Sequence, residues 1–246
     1  MGAGQAYPAH LYTRQGIDSM DSISPYDLIL IDFDGTLADT GKVIIACIRE
    51  TFAHFGATPP SPEKARSVIG MNLTLGMLAL RPELTQEQAE AWTKQYREFY
   101  WGQGLEMTTL FPGVLETLDA IERARGNGGN PALAVLSNKN QQVLEASLDK
   151  VGLGNRFALV SGDREGRRNK PDPELFSQDI LPVFSGVEPA KVLVVGDGEQ
   201  DTGFAHNLGA ECCWASFGMG DRERCLAHAP KYVIDSFAEL KDIVLP

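Results

Sequence analysis

The sequence predicts an α/β protein whose core is a doubly wound, mostly parallel sheet. Three short apolar runs carry this prediction, because uninterrupted aliphatic and β-branched residues are typical of strands buried on both faces. These runs cover residues 28–31, 132–136 and 192–195. Amphipathic helical segments alternate with the runs, at about 113–125, 139–151, 172–183 and 199–209. Since crossovers between parallel strands are right-handed, the three strands end at the same edge of the sheet.

Residues 1–24 precede the first strand and show neither helical nor strand periodicity. They contain no apolar stretch of the kind that a signal peptide has, so we expect no signal peptide here. Met20 offers an alternative start codon. We therefore expect residues 1–24 to be disordered or to derive from the expression vector.

Residues 42–110 interrupt the alternation and predict a small helical domain inserted after the first strand. Seven Lys and Arg residues balance seven Glu residues in this segment, so the rest of the chain carries the whole net charge of −11. We therefore predict a core made of residues 25–41 and 111–246, with a helical insert between its two parts. Four helices are expected in the insert, at about 42–55, 62–69, 73–80 and 85–103.

Length, charge and cysteine content exclude several classes of protein. The 246-residue chain has no apolar run near the roughly 20 residues that a membrane span needs. A net charge of −11 disfavours binding to nucleic acid and to anionic membranes. Four cysteines without a Cys-x-x-Cys pair are typical of reduced thiols in a cytoplasmic protein. We expect a cytoplasmic protein, either a monomer or a homodimer, with no nucleic-acid or membrane partner.

Two carboxylates follow the first strand, where ligands bind in open α/β sheets. Asp32 and Asp34 are two residues apart, with Gly35 and Thr36 completing a tight turn. One ionised aspartate can attack phosphorus while a second acid protonates the leaving oxygen. The alternative is that these residues form a turn and nothing more, since Asp and Gly dominate turns.

The other strand ends carry further polar groups. Asp197 and Asp201 follow the third strand, and carboxylates without nearby His or Cys favour Mg²⁺ over zinc. Helix capping by Asp197 is the alternative. Ser137 and Asn138 follow the second strand and are expected to open a helix that binds an anion, or simply to cap it. Lys170 lies in a proline-flanked loop, where it either contacts phosphate oxygens or is solvated.

Taken together, these groups supply the parts of a phosphoryl-transfer site: a nucleophile, an acid, metal ligands, a hydroxyl and a cation. The set resembles the four motifs of the haloacid dehalogenase superfamily, and the helical insert resembles that superfamily's α-helical cap. Within it, the chain looks like the phosphoglycolate phosphatase-like proteins. The residues that carry this second likeness are 37–40, 111–114 and 170–173.

The resemblance implies a role for each residue. Asp32 would be the nucleophile and a Mg²⁺ ligand, and Asp34 the general acid and base whose backbone carbonyl also binds the metal. Asp197 would bind Mg²⁺, and Asp201 would do so directly or through a water. The transferring phosphoryl group would be held by Thr36, Ser137, Asn138 and Lys170.

The sequence departs from the family pattern at two places. Gly198, Glu199 and Gln200 stand where many relatives have Ser-x-Asn before the final aspartate. The stretch with Arg164, Arg167 and Arg168 is unusually basic. We expect a solvated loop there, with a positive rim that attracts anionic substrates as the alternative.

The expected function is Mg²⁺-dependent hydrolysis of a small phosphate monoester through an aspartyl phosphate, with 2-phosphoglycolate as the best single substrate. A sugar-phosphate mutase is one alternative. A phosphonate-cleaving hydrolase is another, and would need a lysine from the insert, such as Lys42 or Lys64. A catalytically idle scaffold is disfavoured, because it has no use for four mutually repelling carboxylates.

Overall fold

The computed structural model describes residues 24–126 and 131–246. Residues 1–23 of the predicted N-terminal segment lie outside the described residues. The described chain forms one six-stranded parallel sheet with helices on both faces, which confirms the predicted fold class. The strands are β1 (Leu28–Ile31), β2 (Ala132–Asn140), β3 (Leu159–Asp163), β4 (Val192–Gly196), β5 (Glu211–Ala215) and β6 (Tyr232–Ile234).

The strand order β3-β2-β1-β4-β5-β6 places the three predicted strands at the centre of the sheet. Leu28 of β1 pairs with Ala132 on one side and with Val192 on the other. The order of the strands reverses between β1 and β4, and ligands bind outside the carboxyl ends of the strands at such a point. A ligand site is therefore expected at the residues that follow β1 and β4.

The sheet separates two apolar cores. Ile29 and Ile31 face one of them, and Leu28 and Leu30 face the other, because successive side chains of a strand point to opposite faces. All four side chains are at most 1% exposed. Burial on both faces explains why β1 reads as an uninterrupted apolar run.

The helices of the core are α5 (Val114–Arg125), α6 (Gln141–Lys150), α7 (Glu199–Leu208), α8 (Arg222–Ala227) and α9 (Leu240–Val244). Those of the insert are α1 (Gly41–His54), α2 (Pro62–Arg66), α3 (Leu73–Leu80) and α4 (Gln86–Phe99). Among the described residues, no helix is both long and apolar enough to cross a membrane.

Several predicted elements differ from the structure. The helix predicted over 172–183 is shorter in the structure: helical residues cover 174–180, and the last five of them, Phe176–Ile180, form a π-helical turn. Pro171 and Pro173 lie just before it and cannot donate backbone hydrogen bonds. The helix predicted over 85–103 ends at Phe99 and continues as a π-helical turn. Strands β3, β5 and β6 were not predicted: Ser161 and Asp163 break the apolar pattern of β3, β5 begins at the charged Glu211, and β6 is only three residues long.

The four helices α1 to α4 pack around an apolar centre of their own. Phe52 of α1 meets the Trp92 ring edge-on at 4.8 Å, and Cys47, Tyr96 and Val143 belong to the same cluster. Val143 lies on α6, so this cluster also joins the insert to the rest of the chain. We call residues 42–110 the cap and residues 25–41 with 111–246 the core, following the predicted boundaries.

The chain passes from core to cap and back through two adjacent segments. Ala38 and Leu110 form an isolated antiparallel bridge. The Asp39 N–H donates to the Thr109 carbonyl at 2.9 Å, and the Phe111 N–H donates to the Leu37 carbonyl at 3.0 Å. The two connections thus support one another a few residues from Asp34.

Candidate active site

Asp32 lies directly after β1, where the strand order reverses. Its N–H donates to the Val195 carbonyl at 2.9 Å, which extends the pairing of β1 with β4 by one residue. The turn that follows needs Gly35, whose φ is +86° and whose Cβ, if present, would lie 2.4 Å from Asp197 Oδ2. The tight turn therefore brings the carboxylates that follow two different strands close together.

Lys170 connects the two strand ends. Its buried ammonium donates to Asp32 Oδ1 at 2.8 Å, to Asp201 Oδ1 at 2.5 Å and to the Leu136 carbonyl at 2.6 Å. Burial disfavours the charged ammonium, but Asp201 and Asp32 outweigh that effect and raise the pKa of Lys170. The side chain is therefore a cation between two carboxylates, which excludes the alternative of a solvated loop lysine.

The Lys170 backbone is held by Asn138. The Asn138 side chain accepts from the Lys170 N–H at 2.9 Å and donates to its carbonyl at 2.9 Å. The expectation that Ser137 and Asn138 open a helix is wrong: β2 continues past a register shift to Asn140, which caps α6 instead. Ser137 is buried and its hydroxyl accepts from the Lys139 N–H at 3.3 Å.

The basic stretch before Lys170 is neither fully solvated nor a simple positive rim. Arg167 is buried, and its Nε donates to Asp179 Oδ2 at 3.0 Å. Arg164 donates to both oxygens of the same buried carboxylate, at 3.1 and 2.7 Å. Burial lowers the pKa of Arg167, although Asp179 opposes that effect. Arg164 and Arg168 are exposed, but Arg164 shares the Asp179 carboxylate with the buried Arg167, so these two arginines fix the loop that carries Lys170.

Asp197 follows β4 and is buried at 4% exposure. Its Oδ1 accepts from the Thr36 hydroxyl at 3.2 Å, and its Oδ2 accepts from the Met219 N–H at 2.6 Å. Burial, followed by the charges of Asp201 and Asp32, raises the pKa of Asp197 to about 8. Thr36 is fully buried against this carboxylate, and its role in substrate binding stays a prediction.

Asp201 lies in the first turn of α7 and accepts from the Gly198 N–H at 3.0 Å. Burial raises its pKa to about 6, with Lys170 opposing and Asp32 adding to the shift. One oxygen from each of Asp32, Asp197 and Asp201 lies within 4.8 Å of the others. Three buried carboxylates beside one ammonium leave an excess of negative charge. This donor set fits a hard divalent cation such as Mg²⁺.

Asp34 lies outside this carboxylate cluster. Its Oδ1 accepts from the Thr40 hydroxyl at 2.8 Å, and the Lys139 ammonium contacts both of its oxygens, at 3.0 and 3.1 Å. Lys139 is buried, and its ammonium lies 4.1 Å from the centre of the Tyr100 ring of the cap. Sequence reasoning missed Lys139, although its place directly after Ser137 and Asn138 was a usable signal.

The cap touches the core loops around the site. The Gly70 carbonyl accepts from Asn138 Nδ2 at 2.9 Å. Arg66 donates to the carbonyls of Gly218 and Met219 at 3.0 and 3.3 Å. Asn72 Nδ2 donates to Asp163 Oδ2 at 3.0 Å. The cap is thus closed over a cavity whose floor contains Asp32, Asp34 and Lys170.

Comparison with known protein families matches residues 29–215 to a family described as haloacid dehalogenase-like hydrolase. The phosphoglycolate phosphatase 1 of Pseudomonas aeruginosa is 30% identical, over 89% of this chain and 82% of the relative. A pyrophosphatase of Bacillus velezensis is 26% identical, over 87% of this chain and 94% of that protein.

Among solved structures, one from Haemophilus somnus described as a predicted phosphoglycolate phosphatase superposes with a TM-score of 0.79. It is 25% identical, and the match covers 90% of this chain and 99% of that one. The likeness therefore includes the core and the cap together.

Proposed function

This chain belongs to the haloacid dehalogenase-like hydrolase family and is a phosphatase, and from that premise we propose that it is a Mg²⁺-dependent phosphomonoesterase. Its proposed substrate is a small phosphorylated metabolite, with 2-phosphoglycolate as the first candidate. One observation carries the proposal: Asp32 lies buried beside a fixed ammonium and two further aspartates at the strand reversal. Phosphoryl transfer needs this combination of nucleophile, cation and metal ligands.

In the proposed reaction, an oxygen of Asp32 attacks phosphorus. The bond from phosphorus to the leaving oxygen breaks, its electron pair stays on that oxygen, and Asp34 donates a proton to it. A water then attacks phosphorus in the aspartyl phosphate and gives its proton to Asp34. Inorganic phosphate leaves, and the Asp32 carboxylate is restored.

Lys170, Ser137 and Asn138 are proposed to hold the transferring phosphoryl group. Lys170 is already fixed by three acceptors, so it needs no reordering to stabilise developing negative charge. Asp32, Asp197 and Asp201, with the backbone carbonyl of Asp34, are the proposed Mg²⁺ ligands. When bound, the ion would add positive charge beside the phosphoryl oxygens.

The alternatives receive less support. Phosphonate cleavage would need a cap lysine at the cavity, but Lys42 and Lys64 are exposed and do not line it. A sugar-phosphate mutase would use the same Asp32 chemistry with a sugar phosphate in place of water. A requirement for a sugar bisphosphate during turnover would identify the mutase.

The proposed site of action is the cytoplasm. All four cysteines, Cys47, Cys212, Cys213 and Cys225, are buried free thiols. Burial raises the pKa of Cys213 and Cys225 to about 12, so both resist conversion to the reactive thiolate. These properties are compatible with a reducing compartment.

The first experiment measures hydrolysis of p-nitrophenyl phosphate with Mg²⁺, with EDTA, and by the Asp32→Asn variant. We expect activity that needs both Mg²⁺ and Asp32, because an amide neither attacks phosphorus nor neutralises the metal. The loss of kcat should reach at least about a thousandfold.

Asp39→Asn is the matched control, since Asp39 follows the same turn directly but is exposed. It should keep the wild-type rate. Substantial activity of a folded Asp32→Asn variant would contradict the proposed nucleophile. A panel that includes 2-phosphoglycolate, pyrophosphate and sugar phosphates then ranks the substrates.

A further inference from the structure

The cavity between cap and core contains two cations besides the phosphoryl-binding lysine. Lys139 comes from the end of β2 and Arg97 from α4 of the cap. Much of the remaining lining is apolar or aromatic, including Ile44, Val68 and Tyr96. Positive charge in an apolar cavity is costly unless an anion accompanies it. The partners of these two cations therefore indicate what the cavity is built to receive.

The three cations differ in how far protein groups neutralise them. Lys170 contacts two carboxylates, and Lys139 contacts one, that of Asp34. Arg97 forms no ion pair with any described residue. Its Nε is buried and has no hydrogen-bond partner within the described chain. The cap side of the cavity thus has donors and positive charge that the protein does not use.

Lys139 is fixed at the junction of core and cap. Its ammonium lies 4.1 Å from the Tyr100 ring centre and 5.7 Å from that of Phe33, while it contacts Asp34. Asp34 faces the leaving oxygen in the proposed reaction. A cation beside Asp34 is therefore next to the part of the substrate that departs.

One further carboxylate lines the cavity, but it already has partners. Asp163 accepts from Asn72 at 3.0 Å and from Asn169 at 2.9 Å, one bond to each oxygen. Its charge also lies close enough to Arg167 to raise the pKa of that buried arginine, although burial dominates there. Asp163 therefore leaves the positive charge of Arg97 available.

We propose that Lys139 and Arg97 together bind a second anionic group, carried by the leaving-group part of the substrate. The inference rests on the proposed phosphatase function and narrows its substrate class. Substrates would be small phosphate compounds with a carboxylate or a further phosphate next to the scissile bond. Neutral leaving groups would leave Arg97 unpaired and bind less tightly.

The test compares 2-phosphoglycolate with ethyl phosphate, which has the same two carbons but a methyl group in place of the carboxylate. Wild-type protein should show the higher kcat/KM for 2-phosphoglycolate. The ratio of the two kcat/KM values should fall at least about tenfold in Arg97→Met and in Lys139→Met, because a charged hydrogen bond is lost in each. Pyrophosphate as a third substrate distinguishes a phosphate from a carboxylate as the second anion.

Lys94→Met is the matched control, since it removes an exposed cation from the same helix and should leave the ratio unchanged. An unchanged ratio in Arg97→Met, or a wild-type protein without preference for the second anion, would overturn the inference. Either result leaves the phosphatase proposal intact if p-nitrophenyl phosphate hydrolysis still needs Asp32. A loss of the same size on both substrates in Lys139→Met would instead assign Lys139 to positioning Asp34.

A binding measurement tests the second-anion site without turnover. In the Asp32→Asn background, calorimetry should give a Kd for 2-phosphoglycolate at least about tenfold lower than that for ethyl phosphate. Equal constants would contradict the second-anion site even if the Arg97 and Lys139 variants failed to fold.

Discussion

The core and the cap hold their charged side chains in different ways. In the core, Arg167 and Lys170 are buried and bonded to two or more protein acceptors each. In the cap, the Arg97 Nε has no partner in the described chain, and Arg66 binds only backbone carbonyls of the opposing loop. The charged groups at the strand ends are thus fixed by protein partners, whereas Arg97 of the cap stays available to a ligand.

The largest effect on stability should come from breaking the buried Arg167–Asp179 pair. In Arg167→Met the Asp179 carboxylate, which is 1% exposed, loses one of its partners. We therefore expect the free energy of unfolding to fall by about 3–5 kcal/mol. Urea denaturation measures this change. Arg168→Met, in an exposed neighbour, and Arg97→Met in the cap should each cost less than about 1 kcal/mol. A similar loss in Arg97→Met would remove the contrast between the two regions.

The next largest effect should appear in catalysis. Lys170→Met removes the fixed ammonium, and we expect kcat/KM to fall about a hundredfold, the usual size for a lost donor to developing charge. Steady-state kinetics on p-nitrophenyl phosphate measures the loss. Lys241→Met, which removes an exposed lysine far along the chain, should keep the wild-type value. An unchanged rate in Lys170→Met would show that the core charges support folding only.

The pH dependence of metal binding tests the carboxylate cluster. In the folded, metal-free protein the pKa of Asp197 is raised to about 8 and that of Asp201 to about 6, above the usual aspartate value of about 4. These two groups therefore cost no stability below about pH 4, and their ionisation lowers the free energy of unfolding as the pH rises to about 8. Mg²⁺ requires the ionised carboxylates. The gain in Tm on adding Mg²⁺ should therefore be several degrees larger at pH 8.5 than at pH 6, at about 2–4 °C per kcal/mol.

Thermal unfolding with Mg²⁺ and with EDTA at the two pH values measures this gain. Asp197→Asn should abolish the Mg²⁺ effect, and Asp39→Asn should retain it. A gain of the same size at both pH values would contradict the raised pKa of Asp197.

The smallest effect should come from the contact of the cap with the loop after β5. Arg66→Met removes two hydrogen bonds to the carbonyls of Gly218 and Met219. We expect a rise in KM of less than about tenfold with kcat nearly unchanged, because each such bond contributes little at an exposed position. Lys64→Met, two residues earlier on the same short helix, is the control. A large fall in kcat would show that Arg66 acts on Asp197 through Met219.

The central strands and their polar ends could be predicted because both follow from local patterns. A strand buried on both faces has an unbroken apolar run, and the residue after it lies at the sheet edge whatever the loops do. The edge strand β3 was missed because it has no such unbroken apolar run. Leu159–Asp163 is only partly buried, and Ser161 and Asp163 break its pattern.

The partners that buried charged side chains find elsewhere in the sequence could not be predicted. Nothing near Arg167 indicates that Asp179, twelve residues on, enters the core with it. Likewise the sequence predicts that Lys139 begins a helix. In the structure it lies in β2 at the register shift, where its ammonium contacts Asp34 and Tyr100. The role of a buried charge depends on the groups that it contacts, and those contacts are set by tertiary packing.

The paired connections at Ala38 and Leu110 have a consequence for the history of such a protein. The chain leaves and rejoins the core at neighbouring points. The segment between them is therefore an inserted domain whose first and last residues lie close together. Any folded unit with equally close ends could replace it without moving β1 or the turn that carries Asp32 and Asp34. New leaving groups could then be acquired by exchanging a whole module, while the chemistry of the sheet edge is inherited intact.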